Sequence, residues 1–165
     1  MTSLAILAVG IAWVQAGFRP GRFVLKGEFS VHASVSRVFP MFEPVGEKQW
    51  AQGWDPQPIY PATMEAAEGT VFQTVGQKGG ESIWTITKFE RDKAIEYTVV
   101  TPGHDVTQVS VTCDGAGDQT HVTVIYRITG LTEKGNEFGA EHSRAFSEVM
   151  DHWKTHVSLA LAHHG

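Results

Sequence analysis

The chain has 165 residues, 42% hydrophobic and 19% charged, with 13 Lys and Arg against 18 Asp and Glu for a formal net charge of -5. A chain of this length buries roughly 70% of the surface that its unfolded form exposes, so one complete core needs no metal or disulfide. The acidic balance excludes nucleic acid and anionic membrane surfaces as partners, and a single cysteine, Cys113, excludes an intramolecular disulfide and a multi-cysteine zinc site.

Residues 1–17 form an apolar N-terminal segment ahead of a domain predicted over residues 18–165. Leu4 to Val14 is almost wholly apolar, and small residues follow at Ala16 and Gly17, as a signal peptidase requires. No Lys or Arg precedes this stretch, and about a dozen apolar residues are too few to span a bilayer. We therefore predict no integral membrane anchor and a cytoplasmic protein. A cleaved leader with export, a packed segment and a start codon assigned too far upstream remain open.

The first predicted elements are a strand and two short helices. Apolar side chains alternate with polar ones from Phe23 to Val31, the two-residue period of a strand with one buried face. Ser34 is then placed to cap a short helix, and a second short helical piece is predicted after Pro44. The breaker Gly53 to Pro56 follows.

The middle of the chain predicts strand after strand. The predicted strands are Ile59 to Pro61, Thr70 to Val75, Ser82 to Phe89, Ile95 to Thr101, Val106 to Cys113 and His121 to Thr129. Short turn sequences separate them, namely Lys78 to Gly80, Glu90 to Lys93, Pro102 to Gly103 and Asp114 to Asp118. Connections this short predict antiparallel hairpins, because parallel crossovers need more residues.

The last stretch, Glu137 to Ala162, contains no proline and changes period. Its apolar residues recur at intervals of three and four, which predicts one long helix with a single apolar stripe. A terminal helix of this kind beside an antiparallel sheet indicates an α+β domain, in which a curved sheet of about seven strands wraps around the helix.

Two segments and the element order resemble a known family. Gly46 to Pro56 reads GEKQWAQGWDP, similar to a "GER.W..GW.P" segment, and Leu131 to Phe138 lies just before the long helix. With the order of strand, two short helices, six strands and long helix, they resemble one bacterial branch of the START-like (SRPBCC) superfamily. This superfamily has the helix-grip fold and includes polyketide cyclase/dehydrase-like and Aha1-like proteins. The similarity covers residues 22 to 160.

The resemblance implies an apolar cavity between sheet and long helix that holds a hydrophobic or amphipathic small molecule without a cofactor. It does not imply one reaction. A cofactor-independent enzyme of the cyclase or dehydratase kind, and an Aha1-like protein-interaction module, are therefore carried as alternatives, and a homodimer is compatible with each.

The candidate ligand-binding residues are mainly large aromatic side chains on elements that face the gap between sheet and helix. They are Trp50, Trp54, Trp84, Tyr97, Tyr126, His142, Phe146, Val149 and Trp153. Each is open to the plainer reading that it simply fills the core. We expect Trp50 and Trp54, one helical turn apart, at the cavity mouth, and the hydroxyls of Tyr97 and Tyr126 as polar points in the pocket.

Glu47 and His142 are the candidate catalytic residues. Glu47 precedes Trp50 by three residues and would share its helical face, where burial would raise the pKa of the carboxyl and suit it to proton transfer. A structural salt bridge or cap is the alternative. His142 lies within the apolar stripe and would point into the gap. His152 and His156 have the spacing of two zinc ligands, but no third is specified and no metal site is predicted.

Overall fold

The computed structural model describes residues 17–75 and 80–163. The predictions for the N-terminal segment and for most of the Lys78 to Gly80 turn lie outside the described residues. Seven strands form one antiparallel sheet in the order β1-β7-β6-β5-β4-β3-β2. The strands are β1 (Arg22–Val31), β2 (Gln57–Tyr60), β3 (Val71–Val75), β4 (Glu81–Glu90), β5 (Ala94–Thr101), β6 (Asp105–Ala116) and β7 (Gln119–Gly130).

Helices fill the concave side of the sheet. Helix α1 (Val35–Val38) runs into a 3₁₀ helix, Phe39–Phe42, and a second 3₁₀ helix follows at Gly46–Gln49. The long helix α2 (Glu133–His163) packs on β1 and β7. The predicted α+β helix-grip architecture is confirmed, including the short helices after the first strand.

A glycine lets the long helix approach β1 closely. At Gly27 on β1, a Cβ atom would collide with the Met150 side chain of α2. Phe146 and Met150 are both buried there, one helical turn apart. The absence of a side chain at this strand position therefore sets how deeply α2 sits on the sheet.

The prediction that α2 begins at Glu137 is wrong by one turn. The main-chain amide of Asn136 bonds to the Thr132 carbonyl at 3.0 Å, and the amide of Gly135 bonds to the Thr132 hydroxyl at 3.3 Å, so Thr132 acts as the N-cap. Gly135, which reads as a helix breaker, lies against the carbonyl oxygen of His104, where a Cβ atom would collide. Tertiary packing therefore outweighs its low helix propensity.

Two further local predictions need correction. The hairpin predicted over Asp114 to Asp118 is tighter, because β6 and β7 stay paired up to Ala116 and Gln119 and leave only two residues in the turn. Gly117 has a φ of +63°, which glycine adopts without strain. Ser34 does occupy the N-cap of α1, but its hydroxyl lies 3.1 Å from that of Ser36 and makes no capping bond to a backbone amide.

The core lies between the concave face of the sheet and the helices. Its fully buried side chains come from the 3₁₀ segment, the strands and α2, and include Phe39, Phe42, Phe72, Ile86, Ile128 and Val157. Within residues 17–75 and 80–163, no helix is long and apolar enough to cross a membrane.

Candidate functional site

A cavity of about 240 Å³ lies between the sheet and the first half of α2. It is lined by Thr74, Ser82, Trp84, Val99, Thr107, Val109, Tyr126, Phe138 and His142. The residues come from β3 to β7 and α2, so the closed architecture of the fold creates the cavity. A larger concavity of about 860 Å³ lies on the outer surface beside Ser36, Lys88 and Asp114, but it is open to solvent and bordered by charged side chains.

One wall of the cavity is aromatic. The Trp84 ring stacks on Phe72 with centroids 5.6 Å apart and meets the Trp54 ring edge-on at 5.1 Å. The Tyr126 ring lies 5.6 Å from His142 and nearly parallel to it, at 17°. Phe138 lies 4.8 Å from His142. A flat apolar molecule placed here would contact several aromatic rings.

Hydroxyl groups form the other wall. Thr74 Oγ1 accepts a 3.0 Å hydrogen bond from the indole N–H of Trp84, and the hydroxyls of Ser82 and Thr101 lie 2.8 Å apart. Thr107 donates a 2.5 Å hydrogen bond to the fully buried carboxylate of Asp105. The cavity therefore has one aromatic and one hydroxyl-bearing side, which suits an amphipathic ligand.

A second aromatic group fills the interior next to this cavity. The rings of Trp50 and Trp153 meet at 5.1 Å, and Phe42 lies 6.2 Å and 6.1 Å from them. Trp153 also lies 6.4 Å from Tyr126, which joins the group to the cavity wall. Trp50 is buried and donates its indole N–H to the Met41 carbonyl at 2.6 Å. These rings therefore pack as core.

Glu47 lies on the second 3₁₀ helix with its carboxyl group enclosed by protein. Part of the residue reaches the surface, yet burial raises the pKa of the carboxyl well above its usual range, and no hydrogen bond or ion pair within the described residues offsets this effect. The charge of Glu47 in turn raises the pKa of Tyr97 and of Tyr126, after the larger effect of their own burial. The carboxyl group of Glu47 therefore interacts electrostatically with both tyrosines.

Glu43 is a second enclosed carboxyl, one turn before Glu47. Its Oε1 atom is buried and has no hydrogen-bond partner among the described residues. Burial raises the pKa of Glu43, and Asp92 adds to this effect while Arg91 opposes it. Glu43 directly follows an apolar run and belongs to no motif, so sequence reasoning missed this carboxyl group.

The predicted ligand residues separate into two sets. Trp84, Tyr126 and His142 line the cavity, whereas Trp50, Trp54, Tyr97, Phe146, Val149 and Trp153 pack around it or in the adjoining core. The hydroxyl of Tyr97 donates a 2.6 Å hydrogen bond to the Phe42 carbonyl, and the indole N–H of Trp54 donates one of 2.7 Å to the Pro44 carbonyl. These two polar groups are already used within the protein.

Sequence reasoning missed the hydroxyl side of the cavity and Phe138. Thr74, Ser82 and Thr107 carry no motif, and their one detectable signal is a strand position that shares the inward face of large apolar neighbours. The rings of His152 and His156 lie 4.0 Å apart on α2, tilted by 38°. Cys113 is buried, whereas His121, beyond the hairpin, is exposed.

No protein-family profile matches the chain, and its sequence matches no curated protein. Solved structures do resemble it. The chain has the helix-grip fold. Norcoclaurine synthase from Thalictrum flavum, in complex with dopamine and hydroxybenzaldehyde, is 10% identical, with 100% of this chain and 99% of that one covered and a TM-score of 0.61.

Two bacterial proteins show the same likeness. CalU16 from Micromonospora echinospora is 16% identical over 86% of this chain and 87% of its own, with a TM-score of 0.56. The Aha1 dimer from Colwellia psychrerythraea is 15% identical over 83% and 97%, with a TM-score of 0.59. At these identities the likeness establishes the helix-grip fold and no activity.

Proposed function

We propose that the protein binds a small, largely apolar molecule in the cavity between the sheet and α2. The observation that carries this proposal is the cavity itself, about 240 Å³ and lined in part by the aromatic rings of Trp84, Tyr126 and Phe138. An apolar ligand there removes ring surface from water, and this burial contributes roughly 25 cal/mol of favourable free energy per Å² of apolar area. A protein of this fold holds dopamine and hydroxybenzaldehyde, which are small aromatic molecules.

Ligand capture from cells tests the proposal first. The protein is purified, examined by native mass spectrometry and extracted with solvent, and we expect a stoichiometric apolar compound to be released. A second arm measures thermal stabilisation of emptied protein by hydroxybenzaldehyde, indole and medium-chain fatty acids, since a ligand that binds only the folded state raises its stability. An empty protein that no compound stabilises would contradict the proposal.

Filling the cavity provides a matched variant. Val109 is 4% exposed and lines the cavity, so Val109→Phe places a ring in the space that the ligand would use. Val24 on the outer face of β1 is 71% exposed, and Val24→Phe is its control. We expect the first variant to lose binding and the second to retain it, with circular dichroism confirming that both are folded.

Glu47 favours a second candidate, proton transfer on the bound molecule. A carboxyl group whose pKa is raised by burial alone keeps its proton to a higher pH than a solvated carboxyl, which suits it to donate a proton to a bound molecule. Its electrostatic influence on Tyr126, which lines the cavity, supports a place for it near the ligand. Such a role would make the protein a cofactor-independent enzyme of the cyclase or dehydratase kind. Glu47 suits the role better than His142, whose ring stacks on Tyr126.

Deuterium exchange tests this role without knowing the natural substrate. Acetophenone carries exchangeable protons next to its carbonyl, and NMR in D₂O follows their loss. We expect the protein to accelerate exchange and Glu47→Gln to abolish the acceleration while acetophenone still binds. Unchanged acceleration in Glu47→Gln would remove Glu47 from the role, and exchange at the uncatalysed rate in wild type would argue against a carbon proton transfer.

The interaction-module alternative depends on exposed apolar side chains. Ile59 and Tyr60 on the edge strand β2 are 51% and 69% exposed. Pro58 and Pro61 flank them, and proline protects a sheet edge from pairing because it lacks the amide donor. Sedimentation velocity of wild type and Ile59→Lys tests the alternative. An interface at this edge predicts that wild type sediments as a complex and that the variant, with a charge in the interface, sediments as a monomer.

A further inference from the structure

A row of hydroxyl groups crosses the sheet at one end of the cavity. Thr74 on β3 lies opposite Ser82 on β4, the hydroxyl of Ser82 lies 2.8 Å from that of Thr101 on β5, and Thr101 lies opposite Asp105 on β6. Ser82, Thr101 and Asp105 are 7%, 3% and 0% exposed. We call these four residues the polar row. Buried hydroxyl groups in a row on the ligand face need partners.

The polar row contains hydroxyl protons that no protein atom among the described residues accepts. Thr74 Oγ1 accepts from the Trp84 indole, so the proton of the Thr74 hydroxyl is left without an acceptor among the described residues. Ser82 and Thr101 share one hydrogen bond, which uses one of their two protons. Thr74 and Ser82 both line the cavity. When Thr101 donates to Ser82, the protons of both lining hydroxyls are available to a molecule in the cavity; when Ser82 donates, only the Thr74 proton is.

Asp105, the last residue of the polar row, bears on the kind of acceptor. Its carboxylate accepts hydrogen bonds from the Thr107 hydroxyl and, at 2.7 Å, the His104 ring. A ligand carboxylate at Ser82, two strands from Asp105, would place a second carboxyl group in the same buried row, and a low-dielectric interior penalises two negative charges there. A neutral carbonyl oxygen accepts two hydrogen bonds without that cost.

We propose that the polar row recognises a neutral carbonyl group, whose oxygen accepts hydrogen bonds from Thr74 and Ser82 while the apolar body lies against Trp84, Tyr126 and Phe138. The inference deepens the proposed function and rests on it. The cavity volume of about 240 Å³ equals about eight water molecules at roughly 30 Å³ each, below the range typical of drug-sized ligands. The ligand class is therefore a small aryl or alicyclic ketone, aldehyde or ester.

A matched pair of probes isolates the carbonyl. Acetophenone and α-methylstyrene have the same shape, but the second carries a methylene group in place of the carbonyl oxygen. We measure the affinity of both by chemical-shift titration of ¹⁵N-labelled protein. One or two hydrogen bonds from buried hydroxyls predict tighter binding of acetophenone by roughly 2- to 12-fold for each bond.

Hydroxyl deletions then locate the interaction. Ser82→Ala and Thr74→Val each remove one donor. Each should weaken the binding of acetophenone but not of α-methylstyrene, so that the ratio of the two affinities falls toward one. Thr74→Val also deprives the Trp84 indole of its acceptor, so Thr74→Ser, which retains the hydroxyl, should restore the ratio. Thr87→Val on the exposed part of β4 is the control and should leave the ratio unchanged.

The outcomes separate this inference from the proposed function. Binding of neither probe, with no other ligand found, would overturn cavity binding and the inference together. Equal affinity for both probes, or a preference for acetophenone that survives both Ser82→Ala and Thr74→Val, would overturn the polar row as the carbonyl site and leave cavity binding intact. Tighter binding of benzoate than of acetophenone would overturn the argument from Asp105.

Discussion

The hydroxyl of Tyr97 on β5 donates a 2.6 Å hydrogen bond to the main-chain carbonyl of Phe42, at the end of the first 3₁₀ helix. Both residues are buried, at 3% and 0% exposed. This bond ties the helical segment to the middle of the sheet, and the same segment continues to Glu47. It therefore contributes to the placement of the Glu47 carboxyl group.

Replacing Tyr97 by Phe tests this tie. Tyr97→Phe keeps the ring but leaves the Phe42 carbonyl without its donor, and a buried acceptor left unsatisfied costs about 1–3 kcal/mol. We expect the free energy of unfolding in urea to fall by that amount with an unchanged m-value. Tyr60→Phe, at a side chain 69% exposed, is the control and should change stability little. Equal free energies of unfolding for Tyr97→Phe and wild type would show that the bond makes no net contribution to stability.

Replacing Gly135 by Ala tests the start of α2. Alanine favours a helix by about 1 kcal/mol over glycine, but its Cβ would collide with the His104 carbonyl oxygen, which belongs to the backbone and cannot rotate away. Overpacking costs about 1–3 kcal/mol, so we expect a net loss of stability in thermal or urea unfolding. Gly80→Ala, where nothing lies within 4 Å of the added atom, is the control. A stabilised Gly135→Ala would contradict the close approach.

The architecture followed from sequence because each element carries its own period. The alternation of Phe23 to Val31 and the three-and-four spacing of α2 reflect burial of one face, which the structure confirms. The misplaced boundaries lie at glycines. Gly115 is typical of a turn in the sequence but lies in β6. Glycine occupies this strand position because a Cβ atom there would collide with the backbone of Gln119 and the side chain of Val35. Such contacts exist only in three dimensions.

The site was less predictable than the fold for a related reason. Trp84 and Tyr126 were identified because large aromatic side chains on inward strand positions are rare and conspicuous. Thr74 and Ser82 look like ordinary strand residues until the register places them opposite each other. Spacing singled out Glu47, but its burial depends on how the 3₁₀ helices dock on the sheet, and no local pattern encodes that.

The thiol of Cys113 should be nearly inert in the folded protein. It is 5% exposed, and burial, with a smaller contribution from Asp92, raises its pKa to about 12. At pH 8 roughly one molecule in ten thousand would carry the reactive thiolate. We expect Ellman's reagent to react slowly until urea unfolds the chain. An exposed thiol, Ser36→Cys in a Cys113→Ala background, is the control and should react at once; fast reaction of native wild type would contradict the burial.

The pH dependence of stability should report the enclosed carboxyl of Glu47. Burial raises its pKa in the folded state above the ordinary value of 4.5, so between these two values the folded chain binds more protons than the unfolded chain. The free energy of unfolding therefore falls as pH rises from about 4.5 through the folded-state pKa. Glu47→Gln cannot ionise, so urea unfolding should show it gaining stability relative to wild type as pH rises, with little difference at pH 4. A difference between Glu47→Gln and wild type that does not change with pH would show that the Glu47 carboxyl is solvated and unsuited to the proton transfer proposed for it.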